Sequence, residues 1–333
     1  MLAADIDNAS DLVAQIREVR TLADVPIVAS VEEIDEEYLD GLFKSGIDDY
    51  HFIGSQKQFI SLVATVAKSD SWSAIRAPAG QVIFADPERM ERIRFGRVLR
   101  RNGFDTFFAG NAEELETAVN TVDARMVIAS TRLEGGDLVD VIRAAKGGDE
   151  SPPWIVITTP DEADQLGERV PKKPEVVFFE AGSDAEGITF FMNELLAPPP
   201  VGARKSPRVL YNVPVSFVPH GGKVPFWGFT FNINLGGLYV RSLTSFPLQT
   251  PIDLVFRPPF GRGQVFATAQ VVWQKKYGDT TGAASPPGMG IQFLEMWQAD
   301  KAAYDTGYRI LLEENHDKPT SSLGPKSPLP GEN

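Results

Sequence analysis

The hydrophobic pattern keeps one rhythm to about residue 197 and another from Arg208 onward. Over 81–197, short apolar runs alternate with stretches of helical spacing. VIFA (82–85), DTFFAG, RMVIAS, WIVITT and EVVFFEAG predict buried strands. The first helical stretch, ERMERIRFGRVLRRNGF, follows Asp86-Pro87, read as a cap and first-turn pair, and Asn102-Gly103 ends it. Its apolar positions are Met90, Ile93, Val98 and Leu99. Five strands alternating with five helices imply an α/β doubly wound parallel sheet covered on both faces.

Residues 1–70 repeat the later half of that rhythm. A short strand near Leu2–Ile6, a helix DLVAQIREVR, a strand PIVAS, a helix EEYLDGLFKSG, a strand YHFIG and a helix QKQFISLVATVAK are predicted. This is a partial module that begins at its third strand. Half an open parallel sheet leaves an unpaired edge. Either the true start lies upstream of Met1, or neighbouring contacts complete the sheet.

From Arg208 the period becomes two. RVLYNVPVSFV, FWGFTFNIN, GGLYVRS, TPIDLVFRP, QVFATAQVVWQK and GMGIQFLEM predict antiparallel strands that close into a small barrel. A helix from about Ala299 to Glu314 follows, packing through Tyr304, Tyr308, Leu311 and Leu312. The triple proline in LLAPPPVGARKSP makes 198–208 a linker, and the Pro-, Ser- and Gly-rich 315–333 reads as a disordered tail. The expected division is therefore 1–70, 81–197, 198–208, 209–314 and 315–333.

One stretch breaks strand rules. FNINLGGLYV (231–240) places two asparagines and a Gly-Gly pair among Phe231, Ile233, Leu235, Leu238 and Val240. Asn and Gly are depleted in strands, and a glycine inside one marks a bulge or a close approach.

Composition sets outer limits. The chain of 333 residues has no cysteine, which excludes disulfides, thiolate metal sites and a cysteine nucleophile. No apolar run is long enough to span a membrane, and the acidic start MLAADIDNAS does not resemble an export signal, so a cytoplasmic protein is expected. Charge is uneven: residues 1–200 hold 36 acidic and 19 basic side chains, a net of −17, and residues 201–333 hold 9 and 13, a net of +4. The basic half suits an anionic ligand; two solvated surfaces of opposite sign would give the same count. Six arginines between Arg89 and Arg101 read either as an anion-binding helix or, better, as a solvated face pairing with that module's acids.

With those strands and helices placed, residues 81–197, and more faintly 1–70, resemble the receiver domain of response regulators, a flavodoxin-like fold. The resemblance implies a phosphoacceptor Asp ending the third strand, an acidic pair for Mg²⁺ after the first, a Ser/Thr after the fourth and a Lys after the fifth. The second module departs from this. It offers Ala85-Asp86 for the acidic pair, Ser130 at the degenerate phosphoacceptor position, Thr158 at the Ser/Thr position and Glu180-Ala181-Gly182 for Lys-Pro. In the first, Asp5 falls at the acceptor position as a possible phosphoacceptor, Ser30 fits the Ser/Thr position, and Ile53 or Gly54 stands where Lys belongs. Both are expected to be phosphorylation-incompetent pseudo-receivers, retained for protein docking or homo-oligomerisation.

RKSPR (204–208) and NINLGG (232–237), with VVWQK and GMGIQF, resemble the PilZ domain over about 203–314. Its signatures are RxxxR in a lead-in loop and (D/N)xSxxG on an early strand, and its ligand is cyclic di-GMP. The resemblance assigns ligand contacts to Arg204, Arg208, Asn232, Asn234 and Gly237. The chemistry agrees: Arg grips phosphate by a planar fork and hydrogen-bonds guanine O6 and N7 bidentately. Asn234 replaces the signature serine, and its longer amide has a different reach.

No enzyme is expected. The three histidines, His51, His220 and His316, are scattered, and no P-loop, GxSxG or HExxH occurs. The expectation is a non-catalytic cytoplasmic signalling adaptor, binding cyclic di-GMP through its barrel and proteins through its receiver-like modules. No cofactor, metal, nucleic-acid binding or membrane insertion is expected. Family resemblance points to motility or cell polarity. The alternatives are a degenerate PilZ scaffold that works only through protein contacts, and a regulator phosphorylated on Asp5.

Overall fold

The computed structural model describes residues 2–3, 8–19, 24–68, 79–145, 151–196 and 206–317. In the first module, β1 (Leu2–Ala3), β2 (Val28–Val31) and β3 (Asp49–Phe52) form a parallel sheet in that order. Helices α1 (Ala9–Glu18), α2 (Glu36–Ser45) and α3 (Gln56–Ala67) connect and flank it. Asp35 caps α2 by accepting from the Tyr38 N–H at 2.7 Å, and Gly46 ends it in the left-handed region at φ 109°.

The second module contains β4 (Gln81–Ala85), β5 (Asp105–Ala109), β6 (Ala124–Ser130), β7 (Trp154–Thr158) and β8 (Val176–Glu180). All pairings are parallel, in the order β5-β4-β6-β7-β8. This 2-1-3-4-5 order is that of flavodoxin-like folds. Strands β4, β6, β7 and β8 are buried over most of their length and are mostly apolar there, whereas the edge strand β5 is largely exposed. Val82 and Phe84 join α4 (Arg89–Arg101) and α8 (Ile188–Leu196) in one core. Ile83 and Ala85 join α5 (Ala112–Thr121), α6 (Leu138–Ala144) and α7 (Pro160–Arg169) in the other. Helix α4 starts at Arg89, later than the Asp86-Pro87 pair suggests; the buried Asp86 carboxylate accepts from the Glu88 N–H at 2.8 Å and also pairs with Arg132.

The third unit contains β9 (Val209–Leu210), β10 (Pro214–Pro219), β11 (Phe226–Asn234), β12 (Gly237–Arg241), β13 (Pro251–Phe256), β14 (Val265–Lys275) and β15 (Gly288–Met296). Six strands close a ring, β10-β13-β14-β15-β12-β11 and back to β10, with every pairing antiparallel. RVLYNVPVSFV is two strands rather than one: β9 adds outside the ring on β11, and β10 belongs to it. Helix α9 (Gln298–Asp317) plugs the barrel with Tyr304 and Tyr308, and Leu311 and Leu312 pack beside them.

The three units meet on the chain leading into β3. Asp48 is buried and pairs with Arg17 at 2.9 Å, with Arg101 at 2.5 Å and with Arg97, so two of its partners lie on α4 of the other module. The Ile27 N–H donates to it at 2.7 Å. Asp49, also buried, accepts from the Ser242 hydroxyl at 2.9 Å and the Leu243 N–H at 2.7 Å, both from the barrel. The Tyr50 hydroxyl donates to the Gly228 carbonyl at 2.9 Å. The Gln58 amide donates to the Trp227 carbonyl at 2.8 Å and accepts from the Trp227 N–H at 3.2 Å. From the barrel, Arg241 pairs with Asp184 at 2.5 Å, donates to the Ile47 carbonyl at 3.0 Å and stacks 4.3 Å above Phe43. The arginines of α4 therefore answer their own module's acids only in part, Arg94 pairing with Glu91 and Arg101 lying 3.5 Å from Glu186. Arg97 and Arg101 turn inward onto a neighbour's carboxylate.

Burial pushes the Asp48 carboxyl up, but Arg97, Arg101 and Arg17 outweigh it and hold the group well below the usual carboxylate range. Burial pushes Asp49 up to about 7, against the hydrogen bonds from Leu243, Tyr50 and Ser242 and the charge of Arg241. Adjacent aspartates thus titrate in opposite directions because one faces guanidinium groups and the other mainly faces neutral donors.

Candidate functional site

The irregular stretch is a hairpin. β11 and β12 are joined by Leu235-Gly236, with Asn234 opposite Gly237. The register shifts between Thr230 and Asn232, so Phe231 is a bulged residue. Thr230 opposite Val240 points into the barrel, and so does Ile233 opposite Leu238. Phe229, Phe231 and Asn232 therefore all face outward. Phe229 packs into the first module's core and Phe231, with Tyr239, into the second module's. The bulge lets one strand serve three cores while keeping its barrel register.

Beyond the bulge the outer face becomes polar. β9 pairs with β11 so that Leu210 lies opposite Asn232 and Val209 opposite Ile233. One residue further, this register sets exposed Arg208 beside Asn234, bringing the two signature motifs together. The Leu235 N–H donates to the Ser206 hydroxyl oxygen at 3.2 Å, tying RKSPR to the hairpin tip. The Tyr308 hydroxyl donates to the Pro207 carbonyl and the Tyr304 hydroxyl to the Asn234 carbonyl, each at 2.7 Å, so α9 clamps both arms. Asn232 and Asn234 are half-buried. The Asn234 side-chain oxygen accepts from the Gly236 N–H at 2.9 Å, closing the turn. Gly237 has a barrel reason of its own, since a Cβ there would overlap the Ile291 carbonyl oxygen on β15. Arg204 lies outside the described residues. Ser206, Tyr304 and Tyr308 complete the arrangement; only the tyrosines were legible, as packing residues, and nothing in the sequence signalled their hydroxyl bonds.

A cleft of about 200 Å³ separates this face from the second module. Leu210, Asn212 and Phe231 line it from the barrel, and Glu180, Ser183 and Asp184 from the receiver-like side. Glu180, which stands where a receiver's lysine belongs, thus borders the face that carries the barrel motifs.

The receiver-type positions of the second module form a closed set. Ser130 is buried; its hydroxyl oxygen accepts from the Arg132 N–H at 3.2 Å and from Arg132 Nε at 3.3 Å. The same guanidinium pairs with Asp86 at 2.8 Å. Thr158 donates its hydroxyl hydrogen to Glu162 at 2.9 Å, as does Thr131. These residues do not fit a Mg²⁺ ion: one carboxylate stands where two belong, and a cation already holds it. Among the described residues, no group of three or more His, Asp or Glu side chains could hold a metal. Arg132 was missed because nothing in the sequence distinguishes it from other surface arginines. In the first module, Ser30 Oγ and His51 Nε2 are hydrogen-bonded at 2.7 Å in the interior; Asp5 lies outside the described residues.

Residues 203–305 match the family model of the PilZ domain. The barrel is a PilZ domain, and the five-stranded unit before it has receiver-like topology. Among solved structures, the chain is similar to the inhibitor of motility MotI/DgrA of Bacillus subtilis, at 20% identity over 33% of this chain and 52% of that one, with a TM-score of 0.27. It is similar to a response-regulator receiver domain from Bermanella marisrubri, at 18% identity over 35% and 97%, with a TM-score of 0.31. It is also similar to the PilZ domain of CeSA from a cellulose-synthesizing bacterium, at 16% identity over 33% and 100%, with a TM-score of 0.23. The chain thus spans about half the length of the first of these. A search of curated proteins finds no match. No helix among the described residues is long and apolar enough to cross a membrane.

Proposed function

We propose that this protein is a non-catalytic cytoplasmic signalling adaptor whose PilZ barrel binds cyclic di-GMP and whose receiver-like modules dock proteins. The reading is carried by the pairing of β9 with β11, which brings Arg208 beside Asn234 and Asn232 on one outer face. Arg208 and Arg204 grip the phosphates or the guanine O6 and N7 edge, and the Asn232 amide presents hydrogen bonds to a base. Phosphotransfer has no part in the second module, where Arg132 takes up both Ser130 and Asp86. The output we assign is control of motility or cell polarity, on family resemblance alone.

Because Phe231 and Tyr239 are packed into the second module, ligand on the neighbouring face shifts how barrel and module sit. Calorimetric titration with cyclic di-GMP tests the reading. Binding at micromolar or tighter affinity, lost in Arg208→Ala, together with a ligand-dependent scattering profile, is the expected result. Absence of heat at high ligand concentration would leave the ligand-independent scaffold as the better reading. Two observations favour that second reading: Asn234 is already engaged in its own turn, and Glu180 and Asp184 line the adjacent cleft.

A further inference from the structure

We infer that the cleft where the three units meet binds a compact anion of the phosphate class, at a site separate from the PilZ motifs. This cleft, of about 250 Å³, lies between the C-terminal turn of α4, Asp24 of the first module and the 275–287 segment of the barrel. Arg101 and Lys275 form its inner wall, and Arg100 and Lys276 stand at its rim.

The charge balance inside carries the argument. Arg17, Arg97, Arg101 and Lys275 are cations with side chains largely withdrawn from water. Among the described residues, the carboxylates that pair with the arginines are Asp48, shared by all three, and Glu186, 3.5 Å from Arg101. Arg241 and Asp184 neutralise each other. Among the described residues, Lys275 Nζ donates its hydrogen bonds to neutral oxygens, of Asn102 at 3.3 Å, Ala283 at 2.9 Å and Thr281 at 3.5 Å. Burial accordingly pushes its pKa down. At the rim, Arg100 pairs with Asp24, while the Asp279 carboxylate acts on Lys275. Among the described residues, the four inner cations therefore face three carboxylates, Asp48, Glu186 and Asp279, and buried charge is costly unless paired.

Among the described residues, Arg101 Nη2, on the cleft wall, is buried without a hydrogen-bond partner, and so is Arg97 Nε, which does not line the cleft. Arg101 stacks 5.2 Å from the Tyr277 ring, which holds its plane against the cleft wall. A buried donor left unmet costs free energy, and an anion entering here meets donors already fixed in place. The cleft is below the size usual for drug-sized ligands, which limits the occupant to a phosphate or diphosphate group rather than a whole cyclic dinucleotide.

Titration calorimetry on the full chain, in phosphate-free buffer at fixed ionic strength, tests this with three probes: inorganic phosphate, inorganic pyrophosphate and ADP. Saturable binding of at least one is expected; tighter binding of the inorganic ions identifies a free anion, and tighter binding of ADP a nucleotide-borne one. Lys275→Met is expected to weaken binding by about tenfold or more, the loss of one charge-assisted contact. Arg208→Ala is expected to leave it unchanged while abolishing cyclic di-GMP binding, so the two sites fail independently. No saturable heat with any probe would overturn the proposal, as would a folded Lys275→Met that binds like the parent. Should Lys275→Met not fold, Lys276→Gln and Arg100→Gln decide: unchanged affinity in both overturns it, and weakened affinity supports it.

Discussion

Arg101 on α4 and Asp48, ahead of β3, form a buried ion pair at 2.5 Å that joins the two receiver-like modules. The Asp48 carboxylate is fully buried and is shared by two further guanidinium groups. Removing one partner from such a cluster is more costly than never having built it, because the remaining charges stay buried. Asp48→Ala is expected to destabilise the chain by about 3–5 kcal/mol, read as a shift of the urea midpoint. An unchanged midpoint would mean that the cluster does not hold the modules together.

The neighbouring Asp49 sets a pH dependence of its own. Its carboxyl titrates at the ordinary 3.8 in the unfolded chain and near 7 in the folded protein. Between those values the native state keeps a proton that the unfolded state has released, so stability falls as pH rises from about 4 to about 7 and levels off above. Asp48 works the other way: its contribution is present above the unfolded value and is lost as pH falls below it. Asp49→Asn should flatten the slope between pH 4 and 7, gaining on the parent by up to about 1.4 kcal/mol per pH unit. Parallel melting-temperature profiles for the two proteins would refute this.

Gly237 separates barrel architecture from ligand contact. A methyl group there meets the Ile291 carbonyl across β12 and β15. Gly237→Ala is expected to cost about 1–3 kcal/mol with no ligand present, seen in thermal unfolding by circular dichroism. A variant that melts like the parent yet loses cyclic di-GMP would assign the glycine to the ligand instead.

Asn234→Ser restores the family serine while keeping an oxygen that can accept from the Gly236 N–H. Its affinity for cyclic di-GMP should equal or exceed the parent's, measured in the same calorimeter. A weaker variant would show that the asparagine amide itself contacts ligand.

Acetyl phosphate with Mg²⁺ should leave residues 81–197 unmodified in peptide mass maps. Ser130 and Asp86 are both taken up by Arg132, and Thr158 by Glu162. A phosphoryl adduct mapped to this segment would sink the pseudo-receiver reading.

Much of the fold was legible in local pattern. Apolar runs spaced by helical stretches specified the parallel sheet, because strands buried on both faces must be apolar throughout. Alternation specified the barrel. The strand inventory of the barrel failed at one place, where RVLYNVPVSFV divides at Tyr211-Asn212-Val213, since an alternating run does not say which neighbour each half will pair with. The ligand motifs were visible as residue types, and their order along the chain was enough for resemblance.

The sequence alone determined most of the secondary structure, the charge of each half and the absence of a second acid beside Asp86, for these are properties of neighbours along the chain. Tertiary structure decided the rest. FNINLGG looked like a strand with the wrong residues; the fold makes it a bulged hairpin whose Phe231 belongs to another module's core and whose Asn234 lies beside Arg208. Arg97 and Arg101 looked like solvated charges and became the buried partners of a carboxylate about fifty positions away in sequence. Which surfaces lose water depends on contacts between distant segments, and those same contacts decide whether a charge or an aromatic ring is core, interface or site.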